Sequence, residues 1–150
     1  MSINQNLSHL LIRADANSEI GSGHVMRMIA LSQAYKDRGG QITFVCTSCP
    51  KTVADRLQKE QFQLETLQSV EPGSSIDAQE TIKLGKALKC RWIVADGYQF
   101  SITFQRSIQK AGFKLLIVDD HGYSNEWAAD AILNQNIFAQ GFRSLTHIFM

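Results

Sequence analysis

The chain has 150 residues, 44% of them hydrophobic and 19% charged, with a formal net charge of +1. That length suits one domain with a real core, and the near-neutral charge gives no footing for nucleic acid or an anionic membrane as partner. No apolar run approaches the roughly 18 residues of a membrane-spanning helix. The opening residues 1–6 lack the basic and apolar regions of a signal peptide, so three reduced cysteines and a cytoplasmic location are expected.

In chain order, residues 10–12 form a short apolar strand closed by the turn formers Asp15, Asn17 and Ser18. Val25, Met28, Ile29, Ala34 and Tyr35 then fall on a helical stripe that ends at Gly39-Gly40. The β-branched and aromatic run 42–46 is the second strand, and Pro50 stands where the next helix begins. A short third strand is expected over 63–67. Asp77 is placed as the cap of a helix reaching about Leu88. Residues 92–95 make the fourth strand, Phe104, Ile108 and Ala111 mark a helix stopped by Gly112, and 115–118 and 131–133 are the fifth and sixth strands.

Continuous apolar strands are buried on both faces, as in parallel sheets covered by helices. Alternation with helices then predicts right-handed crossovers and a Rossmann-like, doubly wound α/β sheet. Ligands bind such sheets beyond the carboxyl ends of the strands. The polar residues fall there: Asp15 and His24 after the first strand, Asp96 and Tyr98 after the fourth, and Asp119-Asp120-His121 after the fifth.

The loop Ile20-Gly21-Ser22-Gly23-His24-Val25-Met26-Arg27 combines these features most densely. Gly21 and Gly23 permit positive φ and close backbone approach, and the helix that follows offers amides to an oxyanion or phosphate. Met26 stands where a dinucleotide fingerprint has its third glycine, and no Gly-Lys-Ser/Thr of a P-loop follows. A tight turn before a helix explains the glycines equally well. His24, in the first turn, sits at the positive end of the helix dipole, which favours the neutral ring that a general base needs. Arg27, three residues on, shares its face and is suited to a carboxylate or phosphate. Tyr98 is either a site phenol or a packed aromatic. Adjacent residues on a strand point to opposite faces, so Asp119-Asp120-His121 is assigned to capping and loop hydrogen bonds. Cys46-Thr47-Ser48-Cys49 lacks the partners of a zinc site and is taken as a strand-end and a loop cysteine.

Ile12-Arg13-Ala14-Asp15, the Gly21–Arg27 loop, Asp96-Gly97-Tyr98, Val118-Asp119-Asp120 and Leu133-Asn134-Gln135-Asn136 together resemble one family across roughly residues 9–141. It is the UDP-sugar hydrolases of pseudaminic acid biosynthesis, with the related spore coat polysaccharide biosynthesis proteins. The resemblance implies a GT-B architecture similar to the glycosyltransferase of lipid II synthesis. It also implies metal-free hydrolysis of UDP-2,4-diacetamido-2,4,6-trideoxy-β-L-altropyranose, with no cofactor. By position, His24 and Tyr98 are then the catalytic pair, and Asp15, Gly21, Gly23, Arg27 and Asp96 contact substrate or shape its loop. Residues 1–8 are expected to be an extension, 9–141 a GT-B-like N-terminal domain, and 142–150 a tail that departs from the family pattern as if truncated or frameshifted.

Since family members are about twice this long, the chain is expected to carry the catalytic loop and to show little or no activity alone. A separately encoded C-terminal domain is the partner this implies. The alternatives are an inactive remnant, a sugar-binding fragment or a glycosyltransferase-like domain. A nicotinamide-dependent enzyme is disfavoured by the missing third glycine.

Overall fold

The computed structural model describes residues 7–120, 124 and 126–134 of the chain. Five strands and four helices alternate along it: β1 (Leu10–Ala14), α1 (Gly23–Asp37), β2 (Ile42–Cys46), α2 (Lys51–Lys59), β3 (Gln63–Thr66), α3 (Ser75–Ala87), β4 (Trp92–Asp96), α4 (Ile102–Lys110) and β5 (Lys114–Val118). A short β6 (Ala131–Leu133) follows. All the pairings are parallel, in the order β3-β2-β1-β4-β5-β6. All five residues of β1 and of β2 are buried, as strands with helices on both faces require. The expected Rossmann-like doubly wound sheet is therefore the fold, and each expected strand is present.

Side-chain alternation divides the core in two. On one face Leu10, Ile12, Phe44 and Val94 pack with Val25, Met28 and Ile29 of α1 and Val53 and Leu57 of α2. On the other, Leu11, Val45, Ile93, Leu115 and Ile117 pack with Ala78 of α3 and Phe104 and Ile108 of α4. Arg13 is next after Leu11 on this second face and is fully buried. Such a charge demands partners, and α3 supplies one.

That partner corrects the expectation for Asp77. Ser74 caps α3, accepting from the Asp77 amide at 3.1 Å, while the Asp77 side chain turns inward. Its two oxygens accept from Arg13 Nε at 2.8 Å and Nη2 at 2.7 Å, and Oδ2 also accepts from the Gly73 amide at 2.8 Å. A serine three residues upstream took the cap and left the carboxylate for the buried cation.

The sheet order reverses between β1 and β4, because the chain runs outward to β2 and β3 before crossing back. Ala14 pairs with Asp96 there, so the last residues of both strands open onto the crevice at the switch point. His121, Gln135, Asn136, residues 1–6 and the tail over 142–150 lie outside the described residues. Among the described residues, no helix is long and apolar enough to cross a membrane.

Candidate active site at the switch point

The loop between β1 and α1 folds back on itself through paired Asn17 and Gly21 amides and carbonyls, and the Asn17 side chain accepts from the Glu19 and Ile20 amides. Gly21 has φ of +72°, a left-handed conformation that disfavours other residues. Gly23 opens α1, and a Cβ there would meet open space. The turn delivers His24 to the first turn of the helix, 8% exposed.

From β4, fully buried Asp96 reaches the same point. Its Oδ1 lies 2.7 Å from His24 Nδ1, and both its oxygens accept from Arg27, through Nε and Nη2. A carboxylate so placed only accepts, so His24 Nδ1 carries the proton and donates it to Asp96. Arg27 Nη2, 3.1 Å from that nitrogen, converges on the same oxygen rather than bonding the ring. The tautomer leaves Nε2 as the basic nitrogen, and Nε2 makes no hydrogen bond among the described residues. The Asp96 bonds, with help from Asp120, hold the Arg27 guanidinium firmly protonated.

Tyr98, 59% exposed in the loop after β4, sets its ring edge against His24, with centroids 5.2 Å apart and planes at 78°. Its hydroxyl donates to Asp120 Oδ1 at 3.2 Å, and Asp120 Oδ2 accepts from Arg27 Nη1 at 2.8 Å. Asp120 thus stands on the rim, two residues past the end of β5 at Val118, and its bonds to Arg27 and Tyr98 are hydrogen bonds of the kind expected of it.

Asp15 sits at the same edge but faces inward. Its Oδ1 accepts from Arg13 Nη1 at 2.7 Å and from the Thr47 amide at 2.7 Å, and its Oδ2 from Gln99 Nε2 at 3.1 Å. Burial pushes its pKa up, but the bonds from Arg13 and Thr47 outweigh this and hold it below the ordinary carboxylate value. Asp15 therefore shapes the β1 and β2 ends beneath the site. Gln99 and Arg13 complete that support, and neither stood out in the sequence beyond the motif that contains Arg13.

The two nearby cysteines differ: Cys46 closes β2 in the interior, and half-buried Cys49 packs against the core. Among the described residues, no group of three or more His, Cys, Asp or Glu side chains is placed to hold a metal ion.

Solved glycosyltransferase structures share this fold, which is that of a GT-B N-terminal domain. A glycosyltransferase from Rickettsia africae superposes with a TM-score of 0.61 at 14% identity, over 80% of this chain and 32% of that one. MurG from Acinetobacter baumannii gives 0.59 at 12% identity, over 83% and 40%. In sequence, the chain is 28% identical over 132 residues to the UDP-2,4-diacetamido-2,4,6-trideoxy-β-L-altropyranose hydrolase of Campylobacter jejuni, covering 87% of this chain. It spans 43% of the length of that curated relative. No family model matches.

Proposed function

We propose that this chain carries the base-bearing half of a nucleotide-sugar hydrolase, acting on UDP-2,4-diacetamido-2,4,6-trideoxy-β-L-altropyranose or a close analogue in pseudaminic acid biosynthesis. One observation carries the reading: a histidine whose Nδ1 is fixed by a buried carboxylate, with Nε2 left basic, at the ligand crevice of the sheet. The named relative supports the substrate class.

In this mechanism His24 Nε2 takes a proton from water as the water oxygen attacks the anomeric carbon. The bond from that carbon to the diphosphate oxygen breaks, and its electron pair leaves with UDP. Asp96 stabilises the imidazolium so formed and keeps the ring in its productive orientation, the part a buried carboxylate plays in hydrolytic triads. Tyr98, exposed and edge-on to the ring, lies where a sugar would contact it. Gly21 and Gly23 let the backbone approach the substrate, Arg27 braces Asp96, and Asp15 holds the strand ends beneath them. The diphosphate would be held by residues corresponding to the part of the relative's length that this chain does not span.

The test is UDP release from the UDP-sugar by the chain alone, and with the C-terminal segment of the Campylobacter jejuni relative added. Turnover in either arm that disappears in His24→Ala is the expected result. No turnover in both arms, with no saturable binding of the UDP-sugar, would reject the reading.

A further inference from the structure

The guanidinium of Arg27 is occupied on both edges. Asp96 takes Nε and Nη2, and Asp120 takes Nη1 at 2.8 Å. The other oxygen of Asp120 accepts from the Tyr98 hydroxyl. Asp120 stands two residues past β5, so one carboxylate fastens that strand end to α1 and to the loop after β4. An arginine fork in a crevice is ordinarily suited to phosphate, because its planar donors match two anionic oxygens. Among the described residues these ion pairs set one guanidinium against two carboxylates. The Arg27 and Asp120 side chains are similarly exposed, at 15% and 16%, so a phosphate arriving at Nη1 meets Asp120 already there.

We propose that Asp120 is a specificity-determining residue of this site: it fills the outer edge of Arg27, so that the arginine braces His24 and Tyr98 and is withheld from phosphate. The inference rests on the nucleotide-sugar reading and adds the part of the substrate that this rim faces. A carboxylate on this edge suits the sugar carbon, where positive charge grows as the diphosphate departs, and it competes with the diphosphate for Arg27. After turnover, the same carboxylate keeps released anions from settling on Arg27.

The test titrates the full chain, 15N-labelled, with inorganic pyrophosphate while the Arg27 side-chain and His24 ring signals are followed. Asp120→Asn keeps the shape and removes the charge, whereas Asp120→Glu keeps the charge. Wild type and Asp120→Glu are expected to show no saturable shift at Arg27. Asp120→Asn should bind pyrophosphate about tenfold more tightly or better, with shifts centred on Arg27.

Equal pyrophosphate binding at Arg27 in wild type and Asp120→Asn would overturn the inference. So would a folded Asp120→Asn that gains no binding. Should that variant fail to fold, Asp120→Ala is read in the same way, and loss of fold in both would make Asp120 a structural brace and overturn the inference too. Pyrophosphate carries no sugar, so the outcome is separable from UDP release. Absence of turnover in both arms and of saturable UDP-sugar binding, with the expected titration, rejects the hydrolase reading, and turnover with no gain in Asp120→Asn rejects this inference alone.

Discussion

Arg13 and Asp77 meet through two parallel hydrogen bonds of 2.8 and 2.7 Å, and neither side chain is exposed to solvent. The Arg13 guanidinium also lies over the Phe100 ring, 5.2 Å from its centroid. This pair joins the central strand to α3 under the site. Breaking a buried pair costs about 3–5 kcal/mol, and because Asp15 still accepts from Arg13 Nη1 at 2.7 Å the loss should fall at the lower end of that range. Asp77→Ala should therefore lower the urea midpoint strongly with little change in slope. A loss below about 1 kcal/mol, the scale of an exposed pair, would show that water reaches Arg13.

Acid should act through Asp15. Its folded-state pKa is depressed below the ordinary carboxylate value by Arg13 and Thr47, despite burial. A depressed carboxylate contributes stability that is fully present above its unfolded pKa of about 4, and that is lost as pH falls through the folded value. Wild type should thus lose stability below about pH 4 more steeply than Asp15→Asn. The two stability curves, measured by denaturation at each pH, should converge toward acid. Parallel curves down to pH 3 would contradict this.

Asp96→Asn should separate catalysis from fold. The amide can donate to Nδ1, which permits the other ring tautomer and turns the basic nitrogen away from the crevice. In whichever arm of the UDP-release assay shows turnover, the rate should fall by about a hundredfold or more. Circular dichroism should remain that of the wild type. A rate within a few-fold of wild type would remove Asp96 from the mechanism.

The two loop glycines should respond differently to alanine. Gly21 has φ of +72°, so Gly21→Ala carries left-handed strain of about 1–2 kcal/mol although the space around it is open. Gly23 has no such φ and equally open space, so Gly23→Ala should be neutral or stabilising by up to about 1 kcal/mol. If Gly23 is where substrate approaches the backbone, Gly23→Ala should still lower turnover. Thermal melts and UDP release on the same samples decide between the two.

Most of the sheet was legible because β1, β2, β4 and β5 are apolar runs bounded by turn formers, which fixes both strand type and burial. The site was legible residue by residue. Asp96 and Tyr98 stand at or just past the end of β4, and His24 and Arg27 at the start of the helix that follows β1, but nothing local says that Asp96 would take the ring nitrogen rather than touch a ligand. Pairings 72 and 69 residues apart depend on the register of β1 with β4. Asp77 misled because capping is a local rule and the buried Arg13 is a distant competitor. The particular partners of Asp120 were not legible, because its bonds to Arg27 and Tyr98 join positions 93 and 22 residues apart.

The Ala14–Asp96 register bears on how the protein reaches its working state. Among the described residues, the hydrogen-bond and ring partners of His24 outside its own helix are Asp96 and Tyr98, so synthesis must pass residue 96 before the imidazole has a carboxylate to hold it. Contacts of such sequence separation form slowly, after the loop-closure entropy has been met. Until the fourth strand docks beside the first, the glycine turn and its helix lack the carboxylate that fixes the ring. Assembly of the central strand pair and orientation of the imidazole are then a single event.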